Sequence, residues 1–328
     1  GYGFKVQPHP FFCEQRFQGL HYSLMPFTKI PLWRQFRLVN AFQNKTGFLN
    51  KYHTAIYSGS YTPVAVLKNK AERNIYYCHT PPRFVYDQYD FFLSSMPFWQ
   101  RPFFNAFVFW FKPVYESALK KMDLIITNSV NTRERIHNFL GLDAKIIYPP
   151  CEVDKFVWSG QEDYYLSTAR LDSFKRVRYI VQAFCRMPHK KLIVISDGPE
   201  LNSIKKMVVN HRNIRVLGRV SDSKLASLIG RCIATIYVPL QEDFGMSPIE
   251  SMAAGKPVVG VAEGGLKETI LHGQTGLLLE ADQLTEGIMS AVEFLNPDTA
   301  KRMKQACIER ALQFSEERFI AEMKSVLI

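Results

Sequence analysis

From residue 164 onward, apolar runs of strand length alternate with stretches of helical periodicity. The runs at 164–168, 191–196, 214–217, 233–239, 258–261 and 276–279 show little apolar–polar alternation. Strands of that kind are buried on both faces, as in a parallel sheet covered by helices. Between them, 176–187, 200–210 and 223–232 repeat apolar positions at three- and four-residue spacing, which predicts the covering helices. Two further helices are expected at 285–295 and 297–314, and a last one begins at Ser315 with an N-cap and an acidic first turn.

The first half is less regular. Strands are predicted at 54–58, 74–78, 123–129 and 144–148, a further structured step at 63–70, and a helix at 132–140 stopped by Gly141. Residues 1–50 hold short apolar runs punctuated by Pro10 and by Pro26 to Pro31, and 36–48 suit a basic, aromatic helix. No Gly-rich loop opens a helix there, so the first strand–loop–helix of this half is expected to lie upstream, and the chain as given to be weak as a catalyst. Pro149-Pro150 marks a boundary. The expected class is α/β with two Rossmann-like domains, the first incomplete at its N-terminus: 1–149, 150–312, and a closing helix at 313–328.

Segment 91–122 combines Phe91, Phe92, Phe98, Trp99, Phe103, Phe104, Phe107, Phe109, Trp110 and Phe111 with Arg101, Lys112, Lys120 and Lys121. Pro97, Pro102 and Pro113 are expected to break it, which excludes a membrane-spanning helix. Two readings remain open: a core helix on the first sheet, or a segment lying in a membrane interface.

Hydrophobic residues at 47% and charged residues at 22% are those of a globular chain. The net charge of +11 is unevenly spread, with 18 Lys/Arg against 8 Asp/Glu in residues 1–150 and 23 against 22 in the rest. The first half therefore faces something anionic: acidic lipid, a lipid-linked pyrophosphate or nucleic acid. Six scattered cysteines without a C-x-x-C pair read as buried free thiols in a reducing, cytoplasmic setting.

The candidate chemistry lies around Glu242-Asp243-Phe244-Gly245-Met246-Ser247-Pro248-Ile249-Glu250, between two buried strands. Ser247 is the expected N-cap, Pro248 suits the first turn, and Gly255 with Pro257 ends the helix. A helix start at a strand's carboxyl end offers N–H donors to a polar or anionic ligand. Ser247 and Glu250 also have capping-box spacing, which by itself gives Glu250 a purely structural role.

The whole run, Glu-x7-Glu followed by Ala253-Ala254-Gly255-Lys256-Pro257-Val258-Val259, resembles the donor-sugar motif of family 4 glycosyltransferases. So do Cys78-His79-Thr80-Pro81-Pro82-Arg83, Ile147-Tyr148-Pro149-Pro150, Arg170-x4-Lys175, Gly218-Arg219-Val220-Ser221 and Phe314-Ser315-Glu316-Glu317-Arg318-Phe319. The resemblance implies a retaining, metal-independent enzyme of GT-B architecture with two domains facing a cleft and the last helix crossing back to the first. It implies that Arg170 and Lys175 hold the donor diphosphate, the base lies near Arg219 and Val220, and Glu250 accepts from the ribose. Backbone N–H groups of Phe244, Gly245 and Met246 would hold sugar hydroxyls. Glu242 and His79 would face the transferred sugar, and Arg83 and Asp87 the acceptor. Glu242 is not assigned as a nucleophile.

The 77–87 string looks most like mannosyltransferases of polysaccharide and lipid-linked glycan assembly. A GDP-activated hexose, no cofactor, a glycan or polyprenyl-linked acceptor and peripheral binding to the cytoplasmic face of an anionic membrane are the expectations. No nucleic-acid partner is expected. The alternatives are a UDP-sugar-dependent transferase, a nucleotide-sugar epimerase, or a non-enzymatic anion- or nucleic-acid-binding protein on a decayed scaffold.

Overall fold

The structure, a computed structural model, describes residues 33–327. The Pro-punctuated runs before Trp33, and Cys13 among them, lie outside the described residues. The chain divides into two units: one holds the residues up to Asn128 with Arg133–Ile146, the other Ser129–Thr132 and everything from Ile147.

In the first unit run α1 (Trp33–Asn44), β1 (Thr54–Ser58), β2 (Arg73–Cys78), α2 (Tyr89–Ser95), α3 (Arg101–Leu119), β3 (Leu124–Thr127), α4 (Val130–Leu140, whose opening turn groups with the second unit) and β4 (Lys145–Ile146). The strands pair in parallel in sequence order. The 63–70 step is a 3-10 turn, Thr62–Leu67. The core is aromatic: Tyr76, Phe107, Phe111 and Tyr115 are fully buried, with the Tyr76 and Tyr115 hydroxyls 3.2 Å apart.

Pro113 does not break its helix as expected; α3 runs through it. Proline removes one intrahelical hydrogen bond, and Pro113 sits on the exposed side of α3, where water can serve the freed carbonyl. Phe104, Phe107, Val108, Phe111 and Tyr115 face the core, so the core-helix reading holds for one face. Among the described residues no helix is long and apolar enough to cross a membrane.

In the second unit run β5 (Tyr165–Ser167), α5 (Val177–Cys185), β6 (Leu192–Ile195), α6 (Leu201–Met207), β7 (Ile214–Gly218), α7 (Asp222–Arg231), β8 (Thr235–Tyr237), α8 (Met246–Ala253), β9 (Val258–Val261), α9 (Leu266–Thr269) and β10 (Gly276–Leu279). Four helices follow: α10 (Leu284–Phe294), α11 (Pro297–Arg302), α12 (Lys304–Leu312) and α13 (Glu316–Leu327). The single helix expected over 297–314 is divided at Met303, where right-handed backbone (φ −78°, ψ −9°) carries a loosened turn.

The parallel sheet has the order β10-β9-β8-β5-β6-β7. Leu192 and Val194 point into one cluster with Val181, Phe184 and Ile236; Ile193 and Ile195 point into another with Leu166, Leu228 and Ile229. Burial on both faces is why these strands read as unbroken apolar runs. Cys78, Cys151, Cys232 and Cys307 are buried free thiols, and Cys185 is half-buried.

Lys256, three residues past the end of α8, is fully buried. Its Nζ donates to the Gly160 carbonyl at 2.6 Å and lies 3.3 Å from the centre of the Trp158 ring, while Lys304 Nζ lies 4.6 Å from the same centre. Burial pulls the Lys256 ammonium down to about 8. Lys256→Ala is expected to lose the stem's packing, the hydrogen bond and the cation–π contact together. Urea unfolding should show the protein destabilised by about 2–4 kcal/mol.

Candidate functional site

In the second unit the chain leaves β5 and works outward through β6 and β7, then returns to build β8, β9 and β10 on the other side. β5 and β8 are therefore the neighbours at which strand order reverses. Open parallel sheets bind ligands beyond the strands' carboxyl ends at this point, because the loops there diverge and leave a crevice.

The loop after β5 carries Arg170 and Lys175; the loop after β8 carries Glu242. Lys175 Nζ donates to Glu242 Oε2 at 2.5 Å and to the Tyr237 hydroxyl at 3.1 Å. All three side chains are sheltered, Tyr237 most of all. Burial and the neighbouring Glu242 carboxylate push the Tyr237 phenol well above its ordinary value, so it stays neutral while accepting from Lys175. Asp172 caps the turn that carries Lys175, accepting from its backbone N–H at 3.2 Å. Arg170 is exposed, with Asp172 at 3.7 Å.

A second ion pair ties the same loops. Arg176 donates to both oxygens of Glu263 at 3.1 and 3.4 Å, and Glu263 also accepts from the Gln241 N–H at 3.1 Å. Neither Arg176, Glu263 nor Tyr237 was reached from sequence. Arg176 (φ 53°), Ser196 (φ 89°) and Gln241 (φ 44°) are the non-glycine residues with left-handed backbone among the described residues. They follow β5, β6 and β8, so backbone strain gathers at the strand ends around the crevice.

Glycines permit the close packing of these loops. A Cβ on Gly264 would lie 2.2 Å from the Glu242 carbonyl oxygen, and one on Gly265 2.6 Å from that of Asp243. The Gly265 N–H donates to the Glu242 carbonyl at 2.8 Å. A Cβ on Gly198 would meet the Leu171 carbonyl at 2.3 Å, so the Asp197-Gly198-Pro199 turn lies against the Arg170 loop.

The start of α8 differs from expectation. Gly245, with φ 94°, is the N-cap, and no side chain caps the helix. Ser247 lies inside the first turn and its carbonyl accepts from Ser251 Oγ. The expected Ser247 cap and its capping box with Glu250 do not form, because Gly245 turns the chain two residues earlier than a serine cap would. Phe244 is buried against Tyr148 and Phe314, with ring centres 5.5 Å from each, which fixes the backbone of Phe244, Gly245 and Met246.

Glu250 lies in mid-helix in a largely buried place. Burial pushes its carboxyl up to about 7, with Lys155 opposing and Asp222 adding to the rise. Arg219 is exposed after β7, and Val220 packs at the edge of the Leu166 cluster.

In the first unit His79 stands exposed at the carboxyl end of β2, its Nε2 2.9 Å from Ser58 Oγ at the end of β1. Asp87 accepts from Arg83 at 2.9 Å and also pairs with Arg135, which reaches Thr80 Oγ1 at 3.2 Å. Arg83 and Asp87 are thus joined to each other and to a buried arginine on α4 that no motif marked.

Residues 152–310 match the family model of glycosyl transferases group 1. That segment is similar to group 1 glycosyl transferases. The chain is 28% identical over 255 residues to the mouse alpha-1,3/1,6-mannosyltransferase ALG2, covering 67% of this chain and 59% of that protein. It is 29% identical over 177 residues to the Bacillus anthracis N-acetyl-alpha-D-glucosaminyl L-malate synthase, covering 51% and 46%. The chain thus spans about half the length of the curated relatives it matches. Anabaena Alr3699/HepE, solved in complex with UDP-glucose, has the same fold, with a TM-score of 0.66 at 16% identity over 92% of this chain and 84% of that one. Both units carry the parallel α/β sheets of the GT-B class. Glu242, Glu250, Arg170 and Lys175 all fall within the matched segment.

Glu250 allows a test of its environment. A carboxyl that ordinarily titrates at 4.5 and does so at about 7 when folded binds its proton more tightly in the folded state. Its penalty is absent below about 4.5, grows as pH rises, and is complete above about 7, on the order of 1–3 kcal/mol. Glu250→Gln should therefore be more stable than the parent at pH 8, with the difference vanishing at pH 4.5. Urea midpoints at the two pH values check this; a constant loss at both would return Glu250 to a structural role.

Proposed function

We propose that this chain is a retaining glycosyltransferase that moves a hexose from a nucleoside diphosphate sugar to a glycan or lipid-linked acceptor. The observation that carries the reading is the Lys175–Glu242 pair at the reversal point between β5 and β8. An ammonium and a carboxylate that neutralise each other can each take a partner from the donor, the diphosphate for Lys175 and the sugar hydroxyls for Glu242. Arg170, exposed at the mouth of the same loop, adds a planar cation for phosphate oxygens. The uncapped N–H groups at Gly245 and Met246 suit sugar hydroxyls or the leaving phosphate.

Glu250, once ionised, accepts from the ribose in this reading, and Val220 with Arg219 borders the base. His79, oriented by Ser58, serves the transferred sugar. Arg83 and Asp87 act on the acceptor side through the strand-end turn that they brace with Arg135. The side-chain cations do the work of a metal, so no cofactor is required.

Mannose on GDP is the favoured donor. The ALG2 likeness supports the mannosyl group, while the UDP-glucose complex of HepE and the glucosaminyl relative favour a UDP-sugar as the second reading. The acceptor is proposed to be carried on a lipid at the cytoplasmic face of a membrane, in keeping with the excess of cations over carboxylates in residues 1–150. No nucleic acid takes part.

Calorimetric titration with GDP-mannose, UDP-glucose and UDP-N-acetylglucosamine in EDTA should give saturable binding of one of them. Loss of binding in EDTA with recovery on Mg²⁺ overturns the metal-free reading, and failure of every nucleotide sugar overturns the transferase. Affinity should weaken as pH falls below about 7, because the ribose-binding form of Glu250 is the carboxylate. Glu242→Ala should lower turnover on the order of 10²–10³-fold while nucleoside diphosphate binding persists. Product stereochemistry by NMR decides retention.

A further inference from the structure

The geometry points to a membrane-docking face on the first unit, built from α3, the turn before it and the start of α1, that seats in the interfacial layer of an anionic bilayer. This deepens the lipid-linked acceptor reading above by naming the surface that meets the lipid.

α3 is apolar on two sides, with Arg101, Asn105, Lys112 and Glu116 in a stripe beside them. One face fills the core, and on the other Phe103, Ala106, Phe109, Trp110 and Pro113 recur at three- and four-residue spacing. Phe109 is 86% exposed and Phe103 65%; in the preceding turn Phe98 is 80% exposed and Trp99 59%. Arg101 fixes that turn by donating to the Met96 carbonyl at 3.3 Å. Trp33 on α1, 55% exposed, joins the same surface through Phe36, whose ring lies 6.3 Å from Trp33 and 4.8 Å from Trp110. A contiguous aromatic surface of this kind marks an interaction site.

Charge selects the occupant. Arg34 and Arg37 on α1 and Arg101 and Lys112 on α3 are exposed, while α1 has no carboxylate and α3 only Glu116. A second copy of this chain would bring the same cations to the contact, whereas anionic headgroups complement them. Tryptophan favours the headgroup boundary, and three of the four tryptophans, Trp33, Trp99 and Trp110, lie on this face. A helix lying flat with aromatics down and cations at the rim binds reversibly, and each basic residue near the surface contributes roughly a factor of five.

The test is sedimentation of the whole chain with vesicles of phosphatidylglycerol in phosphatidylcholine and of phosphatidylcholine alone, read also by tryptophan quenching with brominated acyl chains. Binding to the anionic vesicles is expected to exceed that to neutral ones by at least about tenfold at low salt. Bromine should quench tryptophan, and Trp158→Phe should leave that quenching in place. Phe103→Glu with Phe109→Glu, both at exposed positions, should lower vesicle binding at least about tenfold. Absence of quenching on anionic vesicles overturns the proposal. So does a double variant that turns an oligomer into a monomer while binding vesicles as before. Nucleotide-sugar titration of the same preparations reads the transferase separately, so intact donor binding without vesicle binding refutes the docking face alone.

Discussion

Lys175 and Glu242 are each other's counter-ion, and much of the second unit is arranged so that they meet. A cation sheltered beside a phenol and an apolar strand end has lost part of its hydration, and a carboxylate close by makes up for it. Glu242 supplies it at 2.5 Å, and Tyr237 adds a neutral hydrogen bond. The two loops involved lie far apart in sequence and become neighbours only because β5 and β8 pair where the strand order reverses. Topology sets the encounter, and the pairing of opposite charges holds its geometry.

That geometry carries strain. Arg176 takes a left-handed backbone that costs a non-glycine residue about 1–2 kcal/mol. What holds it is the two-oxygen contact with Glu263, whose carboxylate also satisfies the N–H of Gln241, itself left-handed. One carboxylate therefore steadies two strained residues on either side of the reversal point. Gly264 and Gly265 follow Glu263 directly, and only residues without a Cβ allow their loop to lie on the Glu242 and Asp243 backbone. Ion pair, strain and glycines make a rigid frame, which is what a site that stabilises charge without reorganising requires.

The sheets were legible because a buried parallel strand leaves an unbroken apolar run, as at 192–195 and 258–261, and flanking helices leave their own period. The Glu242–Glu250 loop was legible because its residues are consecutive. Contacts between loops were not. Tyr237 reads as the end of an apolar strand, Glu263 as a loop acid and Arg135 as a helical surface charge until the fold brings them to Lys175, Arg176 and Asp87. The Ser247 cap failed for a local reason: a glycine two residues earlier adopts the turn more cheaply than the serine can. Pro113 misled because the rule against helix prolines weighs least on an exposed face.

The two halves spend charge differently, and the difference has a physical reading. In the second unit cations and carboxylates are nearly equal in number, and many meet: Lys175 with Glu242, Arg176 with Glu263, Arg186 with Glu286, Arg231 with Glu162. Paired charges set the shape of a site and leave little field beyond it. In residues 1–150, 18 cations stand against 8 carboxylates, a surplus of ten positive charges. Unbalanced charge destabilises a compact fold by self-repulsion. That cost is offset when a surface of opposite sign lies against it. On α1 and α3 the excess borders bare aromatic rings, which water solvates poorly. The two penalties fall on the same elements, and the anionic, partly apolar surface proposed above would relieve both.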